Sequence, residues 1–178
     1  MNFSLFDASD SAEIIALFTR VFSASEGEDE GKSIGDLVSK LMTTTAPSEL
    51  IGCVAKDNGS IVGCIFFSSF VVPGGQRAFL LSPVAVDTRV QGTGIGQRLI
   101  SYGIDQLRAR QVSLVFTYGD PAFYSKTGFR QISEDVVKAP FPLSQPAGWL
   151  AQSLDGMPIQ SQSGASECVA AFNNPAYW

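Results

Sequence analysis

The chain has 178 residues, 45% of them apolar, 11% aromatic and 16% charged, enough to bury about 70% of the unfolded surface as one domain spanning residues 1–178. It contains no histidine, which excludes Ser-His-Asp and Cys-His nucleophiles, imidazole zinc sites and imidazole proton shuttles; no metal is expected. Twelve Lys and Arg against seventeen Asp and Glu give a formal charge of -5, the wrong sign for a chain that holds nucleic acid by its phosphates.

The first ten residues lack a basic segment, and the longest apolar runs are broken by Gly, Ser or Pro well short of a membrane span, so neither secretion nor membrane insertion is expected. Asp10, with Glu13 three residues on, precedes an apolar set at Ile14, Leu17, Phe18, Val21 and Phe22. That is a capping-box-like start to a first helix. A connecting segment rich in Glu, Asp and Gly leads to a second helical set, Ile34, Leu37, Val38 and Leu41.

From Leu50 the character changes to β-branched and aromatic runs, Ile51 to Ala55, Ile61 to Val72 and Phe79 to Val86, with turn signals at Asp57-Asn58-Gly59 and Pro73-Gly74-Gly75. Three antiparallel strands are predicted. The middle one, with Ile65, Phe66 and Phe67 in sequence, reads as central. Its Cys64, like Cys53 in the strand before it, reads as a buried, reduced thiol of a cytoplasmic protein; with Cys168 the count is odd and no CxxC pair exists.

Gly92, Gly94 and Gly96 then lead into a helix marked by Ile100, Ile104 and Leu107 and ending near Arg110, followed by a strand from Val112 to Thr117. Strand, glycine loop, helix, strand is a βαβ unit with the two strands parallel. A short helix from Ala122 to Lys126, closed by Gly128, and a strand from Phe129 to Val137 complete a core of residues 9–137. Residues 138–178 read as a loop-rich extension with a last strand from Glu167 to Phe172.

The loop Gln91-Gly92-Thr93-Gly94-Ile95-Gly96-Gln97 aims backbone N–H groups and a helix N-terminus at one small volume suited to an anionic phosphate. A dinucleotide fingerprint fits badly, because Gln97 or Leu99 falls where its third glycine belongs. A methyltransferase loop wants an acid two residues before the first glycine, and Asp87 is five before. A phosphate loop at Gly27 to Ser33 fails because three of its residues are acidic.

Gln91-x-x-Gly94-x-Gly96, after a strand ending Pro83-Val84-Ala85-Val86, resembles the Q/R-x-x-G-x-G/A signature of the GNAT superfamily of N-acetyltransferases. Ala122-Phe123-Tyr124-Ser125-Lys126-Thr127-Gly128-Phe129 is similar to that superfamily's A-x-x-Y-x-x-x-G-F segment. Gly119-Asp120-Pro121 and the tail Asn174-Pro175-Ala176-Tyr177 look like a bacterial branch of undefined substrate. The resemblance covers roughly Ser9 to Val137.

It implies an α/β fold with a mixed, mostly antiparallel sheet, a central splayed parallel strand pair and flanking helices. It also implies an enzyme that moves an acetyl group from acetyl-CoA to a primary amine, of a small molecule or a peptide, by direct attack in a ternary complex. The backbone of Val84, Ala85 and Val86 would hold the pantetheine arm and Gln91, Gly92, Thr93, Gly94, Ile95, Gly96 and Gln97 the pyrophosphate. Tyr124 would donate to the departing sulfur; the plain alternative is a core aromatic packed with Phe123 and Phe129.

The strand before the loop lacks the glutamate many relatives place there, which leaves as base a water, held by Ser82 or the backbone, or an acid from elsewhere, Asp120 or Glu26 or Glu28. Asp120 reads equally well as a helix cap before Pro121. Glu26 and Glu28, in an acidic run, are candidates to draw in a cationic acceptor, or simply solvated. The missing glutamate keeps open a non-catalytic acyl-CoA or acyl-carrier binding module. A monomer or homodimer is expected.

Overall fold

The computed structural model describes residues 1–178. In chain order it contains β1 (Asn2–Leu5), α1 (Ser11–Glu26), α2 (Glu28–Thr44), β2 (Leu50–Asp57), β3 (Ser60–Val71), β4 (Arg77–Val86), α3 (Ile95–Ala109), β5 (Leu114–Tyr118), α4 (Pro121–Tyr124), β6 (Arg130–Gln131), β7 (Trp149–Ser153) and β8 (Glu167–Cys168). The strands are ordered β1-β2-β3-β4-β5-β7-β6, with β8 on β3. The sheet is mixed and mostly antiparallel: β4 and β5 run parallel, whereas β1 on β2, β7 on β5, β6 on β7 and β8 on β3 are antiparallel.

The chain forms two compact units, Met1–Phe66 with Pro83–Gly103 and Phe67–Ser82 with Ile104–Trp178, and crosses from one to the other within β3, within β4 and within α3.

In the first unit, α1 buries Ile14, Leu17, Phe18 and Val21, and α2 buries Ile34, Leu37, Val38 and Leu41, the helical spacing read from the sequence. Only Gly27, at φ 102°, separates the helices. Their faces meet through small residues: a Cβ at Gly31 would lie 2.6 Å from the Thr19 carbonyl oxygen. Phe18 also meets Phe66 of β3 at a ring separation of 6.1 Å. Burying such a ring contributes about 1.5–3 kcal/mol. The β2–β3 hairpin turns on Asn58 and Gly59, both at positive φ, as an Asn-Gly two-residue turn requires.

The second unit packs around aromatic rings. Phe116 lies 5.0 Å from Phe70 and 5.3 Å from Trp149, and Trp178 lies 6.0 Å from Trp149. Each indole N–H is satisfied, Trp149 donating to the Val137 carbonyl at 2.9 Å and Trp178 to that of Phe172 at 3.1 Å. This removes the penalty of burying a polar edge.

Several expectations are corrected. The acidic connecting segment is helical: Glu26 closes α1, and Glu28, Asp29 and Glu30 form the first turn of α2, where negative charge is favoured by the helix dipole. The capping box belongs to Asp7 and Asp10 on the short 3-10 turn before α1, while Glu13 accepts from the Ile61 amide at 2.8 Å. The strand expected over Phe129 to Val137 is only Arg130–Gln131, because Val136 and Val137 fold back onto the Ser133 carbonyl. The last strand stops at Cys168, and Ala170–Phe172 is a 3-10 turn. β1 and β7 were not anticipated.

Candidate active site

β4 changes character along its length. Its parallel ladder with β5 pairs Ala78 with Leu114 through Leu81 with Thr117 and ends there, while β4 continues to Val86. From Ala78 to Leu81 both faces are buried; beyond it Ser82, Val84 and Val86 are half-buried and alternate with buried Pro83 and Ala85. The backbone past Leu81 therefore has no ladder partner in β5, the condition for main-chain groups to pair with an extended ligand as an added strand would.

The first unit carries the loop that follows. Gly92 at φ 76° and Gly94 at φ 80° adopt a conformation that side chains disfavour, and a Cβ on either would meet nothing within 4 Å. These glycines are required by the turn and leave open space above it. Thr93 Oγ1 donates to the Val90 carbonyl at 2.7 Å, and Gln91 Nε2 donates to the Val86 carbonyl at 2.9 Å, tying the loop to the end of β4. The first intrahelical bond here runs from the Arg98 amide to Gly94. Ile95, Gly96 and Gln97, in the first turn of α3, have amides that helix geometry leaves without an intrahelical acceptor.

Just ahead of the loop lies Asp87, whose side chain is 1% exposed. Oδ1 accepts from the Arg89 amide at 3.0 Å and from Arg89 Nε at 2.9 Å; Oδ2 accepts from Arg89 Nη2 and from Arg20 Nη2, each at 2.8 Å. Arg89 above all, with Arg20, holds this carboxyl far below the usual range despite its burial. Sequence reasoning weighed Asp87 only as a poorly spaced methyltransferase acid and missed both arginines. Arg20 lies 67 positions away in the chain, so no local pattern announces it.

The second unit carries Tyr124. Asp120 caps α4, its Oδ1 accepting from the Ala122 amide at 2.9 Å, with Pro121 at the first helical position. Gly128 ends the turn in the left-handed conformation at φ 95°. Tyr124 is half-buried, its ring 5.0 Å from Phe123 and 5.8 Å from Phe129. A Cβ at Gly119 would lie 2.7 Å from its Cε2, so glycine is what lets the ring lie there. Burial pushes its phenol up to about 12, with the Thr117 hydroxyl acting against and the Asp120 charge adding to the rise; Thr117 itself is buried and donates to the Leu81 carbonyl at 2.8 Å. Thr117 and Gly119 were not singled out from sequence, because a strand threonine carries no signal of its own.

Among the remaining candidates, Ser82 is half-buried one residue past the last ladder pair. Glu26 and Glu28 are exposed at the α1–α2 junction. Cys53 and Cys64 are buried, and burial raises the Cys64 thiol well above its usual range, which leaves it unreactive. A cleft of about 510 Å³ lined by Arg130, Ser133, Gln152 and Met157 includes none of the candidate residues. No set of three or more Cys, Asp or Glu side chains is placed to hold a metal ion, and no helix is long and apolar enough to cross a membrane.

Residues 48–131 match the family model described as an acetyltransferase (GNAT) domain. The chain is 31% identical over 164 residues to the uncharacterized N-acetyltransferase YjhQ of Escherichia coli strain K12, covering 89% of this chain and 87% of that protein. Its structure is similar to that of the GNAT family N-acetyltransferase YhbS from Escherichia coli in complex with CoA, with a TM-score of 0.80, 27% identity and coverage of 97% and 92%. It is also similar to a GNAT family acetyltransferase from Brucella melitensis in complex with acetyl-CoA, with a TM-score of 0.75, 26% identity and 97% coverage of both chains.

Proposed function

The chain belongs to the GNAT acetyltransferases, enzymes that use acetyl-CoA as co-substrate, and from that premise we propose that it acetylates a primary amine by direct attack in a ternary complex. The observation that carries the reading is the Gln91–Gln97 loop, whose two positive-φ glycines keep the space above the backbone open. Amides of this loop hold the diphosphate, each N–H to a charged oxygen contributing about 1.5–3 kcal/mol. Val84, Ala85 and Val86 offer main chain to the pantetheine arm. Family assignment favours catalysis over a non-catalytic acyl-CoA or acyl-carrier module.

In the chemical step the amine lone pair attacks the thioester carbonyl carbon, the C–S bond breaks, and the sulfur leaves as a thiolate. Tyr124 donates a hydrogen bond to it. With the phenol at about 12 and a thiol at about 8.5, full proton transfer is uphill by several kcal/mol. Tyr124 therefore stabilises the developing charge rather than supplying a proton outright.

β4 has no carboxylate, and Asp120 is engaged as a helix cap. Water is the base we favour, with Ser82 placed to hold it. At pH 7 a lysine-like amine costs about 4.6 kcal/mol to neutralise and an α-amine about 1.1, so a site without a strong base suits a weakly basic amine. The acceptor is a small-molecule or peptide amine. Glu26 and Glu28 would steer it as a cation, a role their exposure permits.

The test is thiol release from acetyl-CoA across an amine panel, with calorimetry of CoA binding. Intersecting initial-rate lines with the best amine are expected; parallel lines would indicate an acyl-enzyme and sink the ternary mechanism. CoA binding without release by any amine would remove the acceptor assignment.

A further inference from the structure

We propose that Tyr118 is a positioning residue for Tyr124, its hydroxyl closing a ring of hydrogen bonds that fixes Gly119 beneath the Tyr124 side chain. The inference rests on the role proposed for Tyr124 and adds what holds that side chain in place. Tyr118 is half-buried, the last residue of β5, and pairs with Trp149 at the end of the β5–β7 ladder.

Tyr118 Oη accepts from the Gln145 amide at 2.7 Å and shares a hydrogen bond of 2.9 Å with the Ser144 hydroxyl. The Gly148 amide donates to the Gln145 carbonyl at 2.9 Å, and the Gly148 carbonyl in turn accepts from the Gly119 amide at 3.0 Å. The bonds thus return to the residue beside Tyr118. A Cβ at Gly148 would lie 2.9 Å from the Gly119 carbonyl oxygen and 3.3 Å from Tyr118 Cε2, so Gly119 is bonded at its amide and packed at its carbonyl by the same residue. On the far side, Trp178 stacks on the Tyr118 ring at 6.2 Å and 16°, and its main-chain oxygen accepts from the Ser144 amide at 3.2 Å.

Tyr124 leans on this frame. A Cβ at Gly119 would lie 2.7 Å from Tyr124 Cε2, 3.5 Å from Cδ2 and 3.6 Å from Cζ, the carbon that bears the hydroxyl, so a shift of Gly119 moves the donor itself. A misplacement of about 1 Å costs a reaction about 10²-fold. The two bonds of the Tyr118 hydroxyl lie at exposed positions, where water replaces a lost partner at little cost to folding. Removing that hydroxyl therefore separates the placement of Gly119 from the stability of the fold.

The test compares Tyr118→Phe, Gly148→Ala, Tyr124→Phe and the Tyr118→Phe/Tyr124→Phe double variant. Thiol release from acetyl-CoA is measured with the best panel amine, alongside melting temperatures and carbon-13 spectra of ring-labelled tyrosine. The chain has four tyrosines, and the Tyr124 resonance is the one absent from Tyr124→Phe. Tyr118→Phe is expected to lower kcat about tenfold with the acetyl-CoA KM within about twofold. Its melting temperature stays within about 4 °C of the parent, and the Tyr124 resonance shifts. Gly148→Ala, which presses on Gly119 from the other end of the ring of bonds, lowers kcat and shifts the same resonance. The double variant is no slower than Tyr124→Phe.

Parent-like kcat or an unmoved Tyr124 resonance in Tyr118→Phe, or a double variant slower than Tyr124→Phe, overturns the inference and leaves the role of Tyr124 standing. A Tyr118→Phe variant that does not fold would make the hydroxyl a structural group and overturns it too. Parent-like kcat in Tyr124→Phe overturns the catalytic role of Tyr124 and this inference with it. If Gly148→Ala does not fold, Tyr118→Phe and the double variant decide alone.

Discussion

Arg20 on α1 and Asp87 at the end of β4 form an ion pair of 2.8 Å although 67 positions separate them, and Arg89 closes on the same carboxylate from the other side. One buried acid thus ties the first helix to the turn that starts the glycine loop. Asp87→Asn removes the charge and leaves the two guanidinium groups uncompensated. Because both arginines are more than half exposed, the cost is less than for a fully buried pair, about 1–3 kcal/mol, by thermal or urea unfolding.

The sign of the pH dependence follows from the depressed carboxyl. A group held below its unfolded value of about 3.9 adds stability above that value and loses it as pH falls through the folded one. Stability of the parent should fall below about pH 4 more steeply than that of Asp87→Asn. Equal slopes for the two proteins below that pH would show that Asp87 contributes nothing to acid stability.

Gly94→Ala separates the loop's conformation from its ligand. At φ 80° an alanine costs about 1–2 kcal/mol of backbone strain, yet its Cβ meets no protein atom within 4 Å. The protein should fold, and CoA affinity by calorimetry should fall by a larger factor than the strain alone implies, because the methyl group occupies the space a diphosphate needs. Unchanged affinity would move the phosphate site elsewhere.

Much of this arrangement was legible because periodicity and turn chemistry are local. The burial of Ile14, Leu17, Phe18, Ile34, Leu37 and Leu41 and the Asn58-Gly59 hairpin follow from spacing alone. β7 was not legible: Trp149 to Ser153 follows a proline-rich stretch and has no clean alternation, and it becomes a strand because β5 and β6 pair with it from both sides. The acidic run read as a loop because its charges look solvated, which they are, although the backbone beneath is helical. Tyr124 was visible through its motif, whereas Gly119 gains its meaning only from the ring that folds onto it.

Gly31→Ala and Gly35→Ala test how closely α1 and α2 approach. At Gly31 the added Cβ would lie 2.6 Å from the Thr19 carbonyl oxygen and 2.8 Å from the Ser23 nitrogen, both backbone atoms, so the helices must part. At Gly35 the collision is with the Thr19 Oγ1, which can rotate away. Gly31→Ala should cost about 1–3 kcal/mol and Gly35→Ala under about 1. The reverse ranking by urea unfolding would mean that the helices are not held at this distance.

Tyr124→Phe keeps the ring packing against Phe123 and Phe129 and removes only the hydroxyl. CoA affinity should hold within about twofold while kcat falls about 10²-fold or more, in the range of one positioned proton donor. The pH profile is the sharper test. Since burial raises the phenol to about 12, it stays protonated through the accessible alkaline range, and its ionisation cannot produce a falling limb there. With a lysine-like acceptor, kcat/KM should rise with pH until the amine, near about 10.4, is neutral, and it should not turn down below about pH 10. Tyr124→Phe should lower that curve without changing its shape. A descending limb in the parent that disappears in Tyr124→Phe would mean that the phenol ionises far lower than its buried position dictates, and that it acts as a proton donor in full rather than through a hydrogen bond to sulfur.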